Sequence, residues 1–173
     1  MNETLKTLKE RRSCRKYLAK QVEQEALDLI LEAGTYAPTG MNRQAPVIVA
    51  VQDPETVKKI SEMNAAVMGM DADPFYGAPT VLVVLADPGV RTYVHDGALV
   101  MGNLLNAAHA VGVDSCYIFR AKEVFATEEG KVMLRSWGIP DYFEGIGNCI
   151  LGYRDEGGVK EVAPRKANYI VKV

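Results

Sequence analysis
Histidine occurs twice and cysteine three times in 173 residues. Cys14, Cys116 and Cys149 are odd in number and far apart, with no CxxC and no adjacent histidine pair, so neither a disulfide framework nor a zinc site is expected. Excess charge is missing too. A formal net charge of -2 gives no global attraction to nucleic acid or to an anionic membrane, so a cationic site can only be local. No run reaches the apolar length of a bilayer span, and MNETLKTLKERR lacks the apolar core of a secretion signal. A cytoplasmic, reduced protein is expected, without membrane or nucleic-acid partners. Internal repeats and low-complexity segments are absent, and the length suits one domain over 1–173.

What is present follows an alternating order of helices and strands. Asn2 can cap a short helix carrying Leu5 and Leu8. EQEALDLILEAGTY (23–36) places Ala26, Leu27, Ile30 and Ala33 on one stripe, and Pro38 and Gly40 end it. VIVAVQ (47–52) and TVLVVLA (80–86) are β-branched and nearly continuous in apolar residues, as in central strands covered on both faces. Between them, PETVKKISEMNAAV starts on a proline and reads as a helix.

GALVMGNLLNAAHAV is apolar on most of its circumference, so a helix there needs cover on every side. A strand is expected at 115–119, a helix at 127–137 and a strand at 145–152. Residues 153–168 are too polar to pack, yet NYIVKV has strand character. A strand beyond such an arm can pair on a partner chain.

RRSCRKY places Arg11, Arg12, Arg15 and Lys16 around Ser13 and Cys14. Arginine forks beside a hydroxyl suit a phosphate monoester, while a solvated basic turn is the plainer reading. Arg165 and Lys166 form a second small cationic pair. The loop APTGMNRQAP offers backbone amides and the side-chain amides of Asn42 and Gln44, suited to a flat polar heterocycle or simply to a turn.

Taken in order, RRSCRKY, AGTYAPTGMNRQAPVIVAV, HDGALVMGNLLNAAHAVGVDSCYI and IGNCILGY before PRK resemble the FMN-dependent nitroreductase family. The resemblance implies an α+β fold, an α/β sandwich in which helices flank a mainly antiparallel sheet. It implies a homodimer with two FMN sites at the interface and a C-terminal strand given to the partner. NADH or NADPH would reduce FMN at N5, and a nitroaromatic, quinone or similar acceptor would reoxidise it in a ping-pong cycle. No catalytic side chain is implied, because the flavin carries the chemistry.

By the same resemblance Arg11 and Ser13 would hold the phosphate, with Arg12 beside them and Arg165 or Lys166 completing the pocket. Arg15 would face the N1 and C2 edge of the ring. Pro38, Thr39, Gly40 and Asn42 would act from the partner chain, Asn64 would bond the pyrimidine ring, and the backbone around Ile118 and Phe119 would lie over N5. Val67 stands where many relatives place a lysine, which implies a lower flavin potential. Val47 replaces an aromatic residue, and the long excursion that covers the site in many relatives is missing.

Two further classes bear on the same residues. A flavin-binding or redox-sensing protein without turnover would share the site, and a nucleic-acid module could use RRSCRK alone. Cys14 reads as a small apolar filler, with a thiol activated by its arginine neighbours as the alternative. His109 reads as a core or interface residue, His95 as exposed.

Overall fold
The computed structural model describes residues 2–173. The Asn2 side chain accepts a hydrogen bond from the Leu5 amide at 3.0 Å, which starts α1 (Glu3–Glu10). Then follow α2 (Gln24–Thr35), β1 (Pro46–Val51), α3 (Pro54–Met68), β2 (Thr80–Ala86), α4 (Tyr93–Ala110), β3 (Asp114–Ile118), α5 (Ala121–Ala126), α6 (Glu128–Ser136) and β4 (Glu144–Gly152). α3 carries a signal at each end. The Asp53 carboxylate accepts the Thr56 amide, and Gly69 closes the helix with a left-handed φ of 64°.

The four strands form one antiparallel sheet in the order β1-β2-β4-β3. Every residue of β2 is buried, as expected of a strand between two neighbours. β1 differs from the reading as a strand covered on both faces. It lies at the sheet edge and is half-covered along most of its length, because no strand pairs with its outer side among the described residues. One face of the sheet packs Val81, Val83, Leu85 and Ile150 against Val57 and Ile60 of α3, Phe125 of α5 and Leu134 of α6. The other packs Leu82, Val84, Cys149 and Leu151 against Leu27 and Ile30 of α2 and Val100, Met101 and Leu104 of α4. The result is a helix–sheet–helix sandwich of the expected class.

Three differences from the sequence reading have local causes. The helix expected over 127–137 is α6, but a short unread helix, α5, precedes it, and Thr127 ends α5 and caps α6 by accepting the Gly130 amide at 3.0 Å. Residues 153–159 are not an unpackable arm: Leu18 donates to the Tyr153 carbonyl, Asp155 to that of Lys16, and Arg15 to that of Gly158. NYIVKV forms no strand within the described residues, and Tyr169, Ile170 and Val171 are exposed. Other apolar side chains also lack cover: Leu5 and Leu8 on α1, and Val94 and Leu99 on α4. No helix of the described residues is long and apolar enough to cross a membrane.

Candidate functional site
RRSCRKY leaves α1 as an extended segment. Ser13 forms a parallel bridge with Ser115 of β3, and Cys14 and Tyr17 bridge to Val159 and Arg154. The segment is therefore threaded between a sheet edge and the chain that follows β4. Its side chains divide into tied and untied groups. Lys16 pairs with Asp155 at 2.9 Å, and that pairing holds the Asp155 carboxyl below the usual carboxylate range. Arg12 donates to the Lys9 and Arg11 carbonyls at 2.6 and 2.7 Å, so its fork largely caps the end of α1.

Arg11 is half-buried, and its Nη1 is enclosed without a hydrogen-bond partner. Burial pushes the thiol of Cys149, within β4, well above its ordinary value, and the Arg11 charge opposes this only slightly. Arg12 Nε and Ser115 Oγ are likewise buried and unpartnered. Among the described residues, Arg11, Arg12 and Arg15 have no ion pair. Enclosed donors without acceptors call for a missing partner, and guanidinium nitrogens beside two serines suit a phosphate. Cys14 is fully buried, and burial raises its thiol above the ordinary value. It is the apolar filler, and the activated-thiol alternative does not hold.

At the far end of β3, Ile118 is buried and Phe119 is 63% exposed, and Arg120 takes a left-handed φ of 76° that turns the chain into α5. Asn64 lies within α3 and is fully enclosed. Its Nδ2 donates to the Phe119 carbonyl at 2.8 Å, so it holds the strand exit and does not face outward. Its Oδ1, and both polar atoms of Asn148 opposite Ile118, are buried without partners. Glu144 at the start of β4 accepts from the Tyr93 hydroxyl and from the Lys122 ammonium, both at 2.7 Å. The two donors, Lys122 first, hold its carboxyl below the ordinary value.

The PTGMN loop lies elsewhere. Pro46 opposes Ala86 at the end of β2, whereas Ser115 lies beside the start of β3, near Leu151 at the end of β4. Three strand spacings across and roughly six residues along separate these corners by roughly 25 Å. Within one chain Pro38, Thr39, Gly40 and Asn42 do not join Arg11 and Ser13 on one small ligand. The loop rests on the start of α4, where the Gly40 amide donates to Asp96 Oδ1 at 3.0 Å. Arg165 and Lys166 are exposed in the tail, where the Lys166 ammonium stands over the Tyr169 ring. No hydrogen bond or ion pair of the described residues ties either to the arginine segment.

The motif pattern missed Ser115, Asn148 and Asp96. Two are single polar residues inside strands, and their unsatisfied burial could not be read from the sequence. All three stood within quoted motifs, but the Asp96 contact, with a residue 56 positions away, carries no local signal. A cavity of about 1070 Å³ opens between α3 and residues 69–79, lined by Ala65, Ala66, Met70 and Phe75 among others. None of the candidate residues lines it.

The family model described as "Nitroreductase family" matches residues 8–69. The chain is 33% identical over 172 residues to a protein of Archaeoglobus fulgidus named as a candidate NADH dehydrogenase/NAD(P)H nitroreductase, covering 95% of this chain and 94% of that one. Over 87 residues it is 42% identical to an FMN reductase [NAD(P)H] of Bacillus subtilis, covering 50% of this chain and 33% of that one. A nitroreductase of Bacteroides fragilis with bound FMN superposes with a TM-score of 0.92 at 31% identity, over 100% of both chains.

Proposed function
The chain belongs to the nitroreductase family, and from that premise we propose that it is an FMN-dependent NAD(P)H oxidoreductase reducing nitroaromatic, quinone or similar acceptors. The observation that carries the site is the enclosed, unpartnered Arg11 Nη1 in the segment whose Ser13 bridges to Ser115. A phosphate monoester supplies the acceptors these donors lack. The residues present therefore fit FMN.

When bound, FMN would supply the two-electron redox chemistry linking a nicotinamide donor to the acceptor. The chain's residues bind and orient. Arg11 and Ser13 hold the phosphate, with Arg12 Nε at the rim and Arg165 or Lys166 closing from the tail. Arg15, without an ion pair among the described residues, would face the pyrimidine edge, where a fixed cation favours the reduced, more anionic state. Asn64 contributes by pinning the Phe119 carbonyl, which would hold the backbone at Ile118 and Phe119 in place for the ring. Pro38, Thr39, Gly40 and Asn42 complete the site from a second copy. Their distance from Arg11 in one chain and the uncovered apolar faces of α1 and α4 support a homodimer with two such sites. The exposed tail 160–173 supports strand exchange onto the free edge of β1.

The test is a spectrum of the purified protein followed by anaerobic titration with NADH and with NADPH. A yellow protein bleached by either nicotinamide and recoloured by a quinone or nitroaromatic is expected. A yellow protein that neither nicotinamide reduces would be a flavin carrier without turnover. Arg15→Ala should slow reduction or loosen FMN, and retention of both would remove Arg15 from the site.

A further inference from the structure
The 39–44 loop is tied to the rest of the chain by very little. Asn42 donates to the Thr39 carbonyl and Arg43 to that of Gly40, both at 3.1 Å. Gln44 donates to Thr39 Oγ1 at 3.1 Å and to Asn42 Oδ1 at 3.2 Å. All of these stay inside the loop. Among the described residues, the only hydrogen bond that leaves it runs from the Gly40 amide to Asp96 Oδ1 at 3.0 Å.

The loop's shape needs such an anchor. Met41, Asn42 and Gln44 hold φ of 54°, 54° and 49°. Residues other than glycine rarely adopt this left-handed region, and three in four positions relax unless something outside fixes them. Met41 is 87% exposed, so its packing does not do it.

Asp96 is built to be the anchor. It is 3% exposed, in the first turn of α4, where the helix dipole favours a carboxylate. Its second oxygen accepts the Thr92 hydroxyl at 2.9 Å, which fixes the carboxylate's rotation. Gly40 fits against the same threonine, since a methyl there would collide with the Thr92 hydroxyl. The carboxylate has no ion pair among the described residues.

We infer that Asp96 is a positioning residue that acts on the partner subunit's flavin through Gly40, holding the strained 39–44 loop in the one shape that meets the ring. It touches no ligand itself. The inference rests on the flavin-site reading above and adds to it the element that shapes the loop.

The test titrates FMN into dialysed protein and follows flavin fluorescence. Asp96→Ala should weaken FMN binding about tenfold to a hundredfold, as for loss of a hydrogen bond to a charged group whose burial fixes a loop. Asp96→Asn should restore binding to within about threefold, because its carbonyl can accept from Gly40 while its amide meets Thr92. If Asp96→Ala does not fold, Gly40→Ala disturbs the same contact from the loop side and should give the same loss.

A mixed dimer of Arg11→Ala and Asp96→Ala chains decides whether the effect crosses the interface. It should recover one site of wild-type affinity, since both defects fall on the other site. Asp96→Ala binding FMN within about twofold of wild type, Asp96→Asn no better than alanine, or a mixed dimer with two weakened sites would each overturn the inference. An Arg11→Ala homodimer that binds FMN normally would instead count against the flavin-site reading.

Discussion

Arg11 is the residue on which the cofactor reading turns, because its enclosed Nη1 lacks an acceptor that no nearby side chain supplies. Arg11→Ala should weaken FMN binding by about tenfold to a hundredfold, the worth of a charge-assisted hydrogen bond, in the same fluorescence titration. Arg12→Ala should matter less for FMN and more for α1, since its fork already serves the Lys9 and Arg11 carbonyls. Val67 is 37% exposed on α3, at the position where the family resemblance implies a lysine. A lysine there should raise the flavin potential by about 20–60 mV, or roughly 1–3 kcal/mol for two electrons, read by redox titration. An unchanged potential would break the link between Val67 and the flavin. At this scale the sequence displayed the arginines and Ser13 as a motif. It could not display which guanidinium caps a helix and which is left free, because that depends on where α1 ends.

Elements were legible where chemistry is repetitive and hidden where it is brief. β2 was read with its true ends, since seven β-branched or apolar residues between a proline and an aspartate admit little else. α5 was not read, because six residues show no period and Thr127 caps the next helix without a proline or glycine to announce it. The join of α4, α5 and β4 is held by Glu144, which accepts from Tyr93 and Lys122. Its carboxyl is held below the ordinary value, so its contribution is full above the unfolded-state value near 4.3 and fades as pH falls through the lower folded value. Glu144→Gln should therefore lower the melting temperature at neutral pH by about 2–4 °C, with a gap that closes toward pH 3, in paired thermal scans. A gap independent of pH would show that charge is not what Glu144 contributes.

For the whole molecule, the sandwich and its family were legible because four motifs fall in order along the chain. The division of the site was not, since only the register places the PTGMN loop and Ser13 at opposite corners of the sheet. The same geometry accounts for the surface. Leu5, Leu8, Val94, Leu99, Tyr169, Ile170 and Val171 are exposed in one chain, and water-facing apolar side chains in that number suit an interface. Removing residues 160–173 should weaken dimerisation, seen by light scattering on dilution, and a truncated chain that stays as dimeric as the full one would separate the tail from the interface. The most direct measurement is native mass spectrometry of the protein after incubation with excess FMN. Two chains carrying two flavins are predicted. Single chains without flavin, or with one flavin each, would contradict a site shared between copies.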